Sequence, residues 1–143
     1  MNKEIKKVLV SACLLGEKCR YDGAGKPCGN VINYLKDKQI FKVCPEVMGG
    51  LDTPRNPAEI IGDRIVSSVG VDVTMQYHKG ANIALEIAKR EGVDLCILKS
   101  RSPSCGSGEI YDGTFSGTLK GGNGCTSQLL KENGFEVVSE LDI

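Results

Sequence analysis

Tryptophan is absent from this sequence, and histidine occurs once, as His78. Aromatic side chains make up only 5% of the residues, which argues against a binder that stacks single-stranded bases on aromatic platforms. Charge of one sign is missing too. Eighteen Lys and Arg stand against eighteen Asp and Glu, leaving no net field to gather nucleic acid or an anionic membrane. No apolar run approaches the roughly 20 residues that span a bilayer. No Cys-x-x-Cys pair occurs, so zinc-ribbon and thioredoxin motifs are excluded. No Gly-x-Gly-x-x-Gly follows the first apolar stretch, which removes the dinucleotide fingerprint. The lone His78 falls on a long helical pattern, where a solvated face is the expected place for it. Any acid–base work then falls to carboxylates.

What is present starts with an amino terminus that mimics a lipoprotein signal. Lys3, Lys6 and Lys7 precede Val8-Leu9-Val10-Ser11-Ala12-Cys13. The apolar run before Cys13 is only about five residues, short of the roughly 7–15 a signal needs. Leu14 and Leu15 also carry the apolar character past the cysteine. Val8–Leu15 therefore reads as a buried first strand, and the protein as cytoplasmic with neither a membrane nor a nucleic-acid partner. At 143 residues, 41% hydrophobic and 25% charged, the chain is expected to form one α/β domain over residues 1–143.

Further strands are expected at Ile40–Cys44, stopped by Pro45, at Val93–Leu98 and at Phe135–Val138. Helices are expected from Gly29-Asn30 to about Lys38, from Asp72 or Thr74 to about Glu91, and over Cys125–Asn133. The segment Glu46–Glu59, with its glycines and prolines, reads as a long ordered loop of the functional kind. Ile60–Val66 suits a small hairpin around Gly62-Asp63, and Glu109–Thr118 a hairpin or turn-rich excursion. The run Gly121-Gly122-Asn123-Gly124 before a helix is either a turn or a phosphate cradle. Strands alternating with helices imply parallel pairing and right-handed crossovers. The expected fold is a three-layer, Rossmann-like α/β domain with a mostly parallel sheet of about four strands and a small hairpin.

Seven cysteines are many for a chain in a reducing compartment, where such residues are more often metal-binding or catalytic than disulfide-bonded. Three sit in equivalent places. Cys13 lies near the carboxyl end of the first strand, Cys44 ends the second, and Cys105 follows the third in Lys99-Ser100-Arg101-Ser102-Pro103-Ser104-Cys105-Gly106. In a parallel sheet those ends share one edge, where open α/β sheets bind ligands. Thiolates converging there suit zinc, copper(I) or an iron–sulfur cluster, although a strand-end cysteine also serves as a small buried hydrophobe. For Cys96, inside Leu95–Leu98, the hydrophobe is the better reading, and Cys125 in a first helical turn is also expected to be structural. Cys19 and Cys28 sit in a glycine-rich loop, as exposed thiols or an accessory pair.

The motifs Ser11-Ala12-Cys13-Leu14-Leu15-Gly16, Arg20-Tyr21-Asp22-Gly23, Cys44-Pro45-Glu46 and Lys99–Gly106 resemble those of the thiouracil desulfidase family. The likeness runs on through Gly49-Gly50-Leu51 and Thr53-Pro54-Arg55 to the last helix, covering essentially the whole chain. It implies a [4Fe–4S] cluster bound by three cysteines, which match Cys13, Cys44 and Cys105, with the fourth iron open to substrate sulfur. It also implies an acid–base carboxylate at Glu46 and a catalytic serine, placed at Ser102 in preference to Ser104. The substrate it implies is a thiolated pyrimidine such as 2-thiouracil, converted to uracil and sulfide without net redox change. Arg20, Tyr21, Asp22, Arg55 and Ser104 are candidates to bind it. Arg20, Arg55, Lys99 and Arg101 either line such a pocket or pair with Asp22, Asp52 and Glu59. Two other classes use the same cysteines: a metal-binding or redox-sensing protein without catalysis, and a sulfurtransferase that carries a persulfide. The carboxylate and serine beside the thiols favour an enzyme.

Overall fold

The computed structural model describes residues 4–143, so Lys3 of the basic amino-terminal run lies outside the described residues. Strand β1 (Lys7–Ser11) carries β-branched Val8 and Val10 and is buried from Val8 onward. It ends at Ser11 rather than Leu15. Ala12–Leu15 instead winds into a 3-10 turn closed by Gly16 at φ 97°. The chain returns through α1 (Gly29–Tyr34) to β2 (Gln39–Val43). Pro45 does more than stop β2: it opens a short helix, α2 (Pro45–Met48), where its fixed φ suits the first turn and its missing N–H is no loss. The expected long loop is thus shortened by a helix at its start.

The hairpin β3 (Ala58–Ile61) and β4 (Arg64–Ser67) forms where the sequence places it. Helix α3 (Thr74–Glu91) follows; Asp72 accepts the Thr74 amide at 2.9 Å, and Gly92 closes the far end at φ 63°. Strand β5 (Leu95–Leu98) is buried at every residue. The excursion after it resolves into β6 (Glu109–Tyr111) paired antiparallel with β7 (Leu119–Gly121). Helix α4 (Cys125–Glu132) and β8 (Val137–Ser139) complete the order.

Among the described residues the main sheet has four parallel strands in the order β2-β1-β5-β8. Period-two alternation divides its side chains between two helical layers. Leu9, Cys96 and Leu98 pack with Ala88 of α3 and Leu130 of α4, while Val8, Val10, Leu95 and Ile97 pack with Val31 of α1 and Leu35. The result is the expected three-layer α/β architecture, with two hairpins instead of one. From β1 the chain crosses one way to β2 and later the other way to β5. That reversal opens a crevice at the carboxyl ends of β1 and β5. No helix of the described residues is long and apolar enough to cross a membrane.

Candidate functional site

A cavity of about 570 Å³, within the usual range for small-molecule sites, opens at that crevice. Cys13 reaches it from the 3-10 turn after β1, Cys44 from the junction of β2 and α2, and Cys105 from the loop after β5. Cys19 also lines it, whereas Cys28 does not. The Cys19 thiol is in hydrogen-bonding contact with both Cys13 and Cys44; the Cys13 contact pushes it up to about 11, the Cys44 contact opposing. Contact with Cys19, then burial, pushes the Cys44 thiol well above its ordinary range. Burial pushes Cys105 up to about 12, with Glu46 adding to the effect and the Ser11 and Ser104 hydroxyls working against it. Ser11 donates to the Cys105 sulfur at 3.6 Å. Cys13 and Cys105 are buried soft donors, and Cys19 and Cys44 are partly buried ones. Among the described residues no three His, Cys, Asp or Glu side chains close round one point as a single metal ion requires.

The Cys105 loop is pinned from three sides. Ser102 Oγ accepts the amides of Cys105 (2.6 Å) and Ser104 (3.2 Å), which leaves its own proton to donate into the cavity it lines. The first amides of α4 are spent on the same loop: Cys125 donates to the Pro103 carbonyl, and Thr126 and Ser127 to that of Ser104. The glycine run before α4 therefore seats a loop and is no phosphate cradle. Ser104 is fully buried, shares a 2.7 Å hydrogen bond with Thr126, and does not line the cavity. At the loop's start Glu140 takes the Ser100 amide (2.7 Å), the Ser100 hydroxyl (2.9 Å) and the Lys99 ammonium (3.0 Å). Burial alone would raise the Glu140 pKa, but the Ser100 amide and Lys99 outweigh it and hold it below the ordinary carboxylate value.

Glu46, in the first turn of α2, is clamped on one oxygen. Oε2 accepts from Arg55 Nη2 (2.9 Å), Arg55 Nε (3.2 Å) and the Tyr77 hydroxyl (3.0 Å). Oε1 makes no hydrogen bond to the described residues and is not among the sealed, unpartnered atoms, so it stays accessible. Arg55 spends its other N–H groups on the carbonyls of Asp52 and Cys19 and on the Thr53 hydroxyl. All five of its donors are in use. It lines the cavity, as expected from sequence, but as the holder of Glu46. Tyr77, whose hydroxyl is pushed well up by burial and then by Glu46, remains a donor. The clamp depends on α2 lying directly against α3. A Cβ on Gly80 would stand 1.8 Å from the Pro45 carbonyl oxygen, so only glycine lets the two helices meet.

Arg20 and Tyr21 line the cavity, the guanidinium 5.7 Å from the Tyr21 ring centre. Asp22 lies outside it, accepting the Ala24 amide and pairing with Arg20 at 3.6 Å. His78 is exposed, and Cys96 belongs to the core. Cys125 is pushed up to about 11 by burial and donates to the Tyr77 carbonyl at 3.6 Å, so the helix start does not make it a reactive thiolate. Sequence reasoning missed Tyr77 and Glu140, and took the second cavity carboxylate, Glu59, for an ion-pair partner of the nearby cations, whereas it is buried and pairs with none of those of the described residues. Tyr77 sits at a core position of a long amphipathic helix, and nothing local marks it as a partner for a residue 31 positions away.

Residues 8–142 match the model of the family described as 2-thiouracil desulfurase. The uncharacterised protein YbbK of Bacillus subtilis strain 168 is 44% identical to this chain, over 95% of it and 97% of that protein. A solved structure described as a [4Fe–4S]-dependent thiouracil desulfidase, TudS, superposes with a TM-score of 0.91 at 44% identity, covering 96% of this chain and 93% of that one.

Proposed function

The chain belongs to the 2-thiouracil desulfurase family, and on that footing we propose that it is an iron–sulfur enzyme, residues 1–143 acting as one domain, that converts a thiolated pyrimidine such as 2-thiouracil to uracil and sulfide. One observation carries the reading: three thiols beyond three strand ends, two of them buried and one partly so, share a single cavity with a clamped carboxylate and a hydroxyl whose proton is free. The donor set fits a [4Fe–4S] cluster. Each thiolate of such a cluster binds a different iron, so its ligands need not close on one point, and Cys13, Cys44 and Cys105 all line the same cavity. Cys105, held protonated by burial, and Cys44, by its Cys19 contact and then burial, also suit a site whose positive charge arrives with the iron and displaces the protons. Cys13, Cys44 and Cys105 would hold the cluster, with Cys19 beside them. When bound, the cluster supplies an iron without a protein ligand, a soft Lewis acid for the substrate's sulfur.

The chain's own groups account for the rest. Glu46 Oε1 is open to accept a proton from a water that adds to the thiocarbonyl carbon, while Arg55 and Tyr77 keep the carboxylate from turning away. The same oxygen returns a proton as the carbon–sulfur bond breaks. Ser102 donates its free O–H to the pyrimidine or the attacking water. Water in, sulfide out and no change in oxidation state leave no need for an electron donor.

Anaerobic reconstitution with iron and sulfide should give a brown protein with about four irons per chain. Cys13→Ala, Cys44→Ala and Cys105→Ala should each lose the cluster. If all three still assemble it, the ligand assignment is wrong, and tightly bound zinc alone would favour the non-catalytic metal protein. Glu46→Ala should keep the cluster and lose about 10²–10⁴-fold in turnover of 2-thiouracil. Full activity in that variant removes Glu46 as the base.

A further inference from the structure

The cavity has a second carboxylate that the chemistry above does not use. Strand β3 places Glu59 on its wall at only 8% exposure, and no cation of the described residues pairs with it. Of the other charged groups lining the cavity, all but Lys26 have partners of their own, and Lys26 makes no ion pair with Glu59. Lys99 is paired with Glu140, Arg20 with Asp22, Arg101 with Glu109, and Arg55 with Glu46. Glu59 Oε1 accepts two amides from the turn of the β6–β7 hairpin, Gly113 at 2.9 Å and Phe115 at 3.3 Å. Oε2 accepts none, yet it is not among the sealed, unpartnered atoms, so it opens on the cavity that Glu59 lines. A carboxylate buried to this degree without a cation is costly unless its remaining oxygen meets a donor.

The hairpin that anchors Glu59 also shapes the space in front of it. Gly113 sits at φ 93°, and a Cβ there would lie 2.8 Å from the Ile60 carbonyl oxygen, so only glycine brings this turn onto β3. Phe115 holds φ 56°, an unfavourable conformation for a bulky residue, and Phe115 and Tyr111 both line the cavity. Strain kept at an aromatic residue on a pocket wall points to use of that residue. Carboxylates are acceptors only, and aromatic rings offer flat faces. Together they describe a flat heterocycle with a ring N–H. 2-Thiouracil carries such an N–H on each side of its thiocarbonyl.

We propose that Glu59 determines substrate specificity here, its Oε2 accepting a ring N–H of the thiolated pyrimidine while the Tyr111–Phe115 hairpin covers the ring. This rests on the desulfidase reading above. It makes alkylation of the recognised nitrogen, as in an N-linked nucleoside, a cause of rejection.

The test uses cluster-loaded enzyme with 2-thiouracil and its 1-methyl and 3-methyl derivatives. The wild type should turn over the parent and lose about 100-fold or more in kcat/KM on at least one methyl isomer, because a buried acceptor is then left unpaired. Glu59→Gln keeps a carbonyl oxygen for the Gly113 and Phe115 amides but turns the other position into a donor. It should raise KM for the parent about 100-fold with kcat kept within about threefold, and should abolish the discrimination. A purely structural Glu59 would leave that discrimination in place. Equal turnover of all three compounds by the wild type overturns the proposal whether or not the variant folds, as does a Glu59→Gln enzyme with wild-type KM and selectivity. A cluster-loaded wild type inert toward 2-thiouracil overturns the proposed function itself, and this inference with it.

Discussion

The cavity has two walls built by different means. One is the carboxyl edge of the parallel sheet, where Cys13 and Cys105 follow the buried strands β1 and β5, Cys44 follows the edge strand β2, and Glu46 is held by Arg55 and Tyr77. The other is made of the two hairpins, where Glu59, Tyr111 and Phe115 depend on turns and Phe115 is 39% exposed. Each wall presents one carboxylate with one oxygen fixed and one open. On the sheet side the fixed oxygen meets a cation and a phenol; on the hairpin side it meets only amides. In the roles proposed above, chemistry that must hold its geometry sits on the sheet wall, and choice of substrate on the wall built of short hairpins. The two can then change independently.

Removing the cation from the sheet wall should give the largest effect. Arg55→Ala leaves Glu46 half-buried with Tyr77 alone, frees the Asp52 carbonyl and leaves that of Cys19 with only the Cys44 thiol. Breaking a buried pair from one side costs about 3–5 kcal/mol, to be read from chemical denaturation. Activity should fall along with it, in kcat more than in KM. A variant as stable and active as the wild type would remove the distinction between the two walls.

The walls also differ in how much of them the sequence displays. Apolar runs with a cysteine at or just beyond the strand end mark the sheet wall at Cys13, Cys44 and, in the loop after β5, Cys105, because a strand and the segment after it are local facts. The parallel three-layer order followed from strands alternating with helices. What escaped notice depends on distance along the chain. Tyr77 reaches Glu46 across 31 residues, Glu140 reaches Ser100 across 40, and Glu59 reaches Gly113 across 54. No period or spacing encodes such contacts. The 3-10 turn at Cys13 was hidden by its own apolar sequence, and α2 by a proline that reads equally as the end of a strand or the start of a helix. Arg55 was placed at the site, but only its partners show that it positions Glu46 and has no donor left for substrate.

A smaller effect is expected from the hairpin wall. Gly113→Ala meets both a positive φ and the Ile60 carbonyl, so the turn must lift from β3. Strain of this kind costs about 1–3 kcal/mol. Because the sheet wall is untouched, iron content should stay at the wild-type level and the kinetic change should fall on KM. Loss of the cluster in Gly113→Ala would mean that the walls are mechanically one unit.

The smallest effect concerns acid, and it separates the walls by how their carboxylates are buried. Glu140 ties down the start of the Cys105 loop, and its folded-state pKa lies below the ordinary 4.5. A depressed folded pKa means that the unfolded chain binds the proton more readily. The contribution of Glu140 to stability is therefore complete above about pH 4.5 and is lost as the pH falls through the lower, folded value. Glu140→Gln removes the charge that holds Lys99 but leaves an acceptor for the Ser100 amide. The variant should be less stable than the wild type near neutrality, with the gap closing as the pH is taken below about 4.5 and through the lower, folded value. Asp112, on the hairpin wall, is also shifted down, chiefly by the Thr114 hydroxyl and amide, but it is only partly buried and its partner Thr114 is exposed. Water replaces those bonds at little cost, so Asp112→Asn should run parallel to the wild type across the same range of thermal melts. A gap that stays constant with pH in Glu140→Gln would show that the Lys99–Glu140 pair adds nothing to the stiffness of the sheet wall.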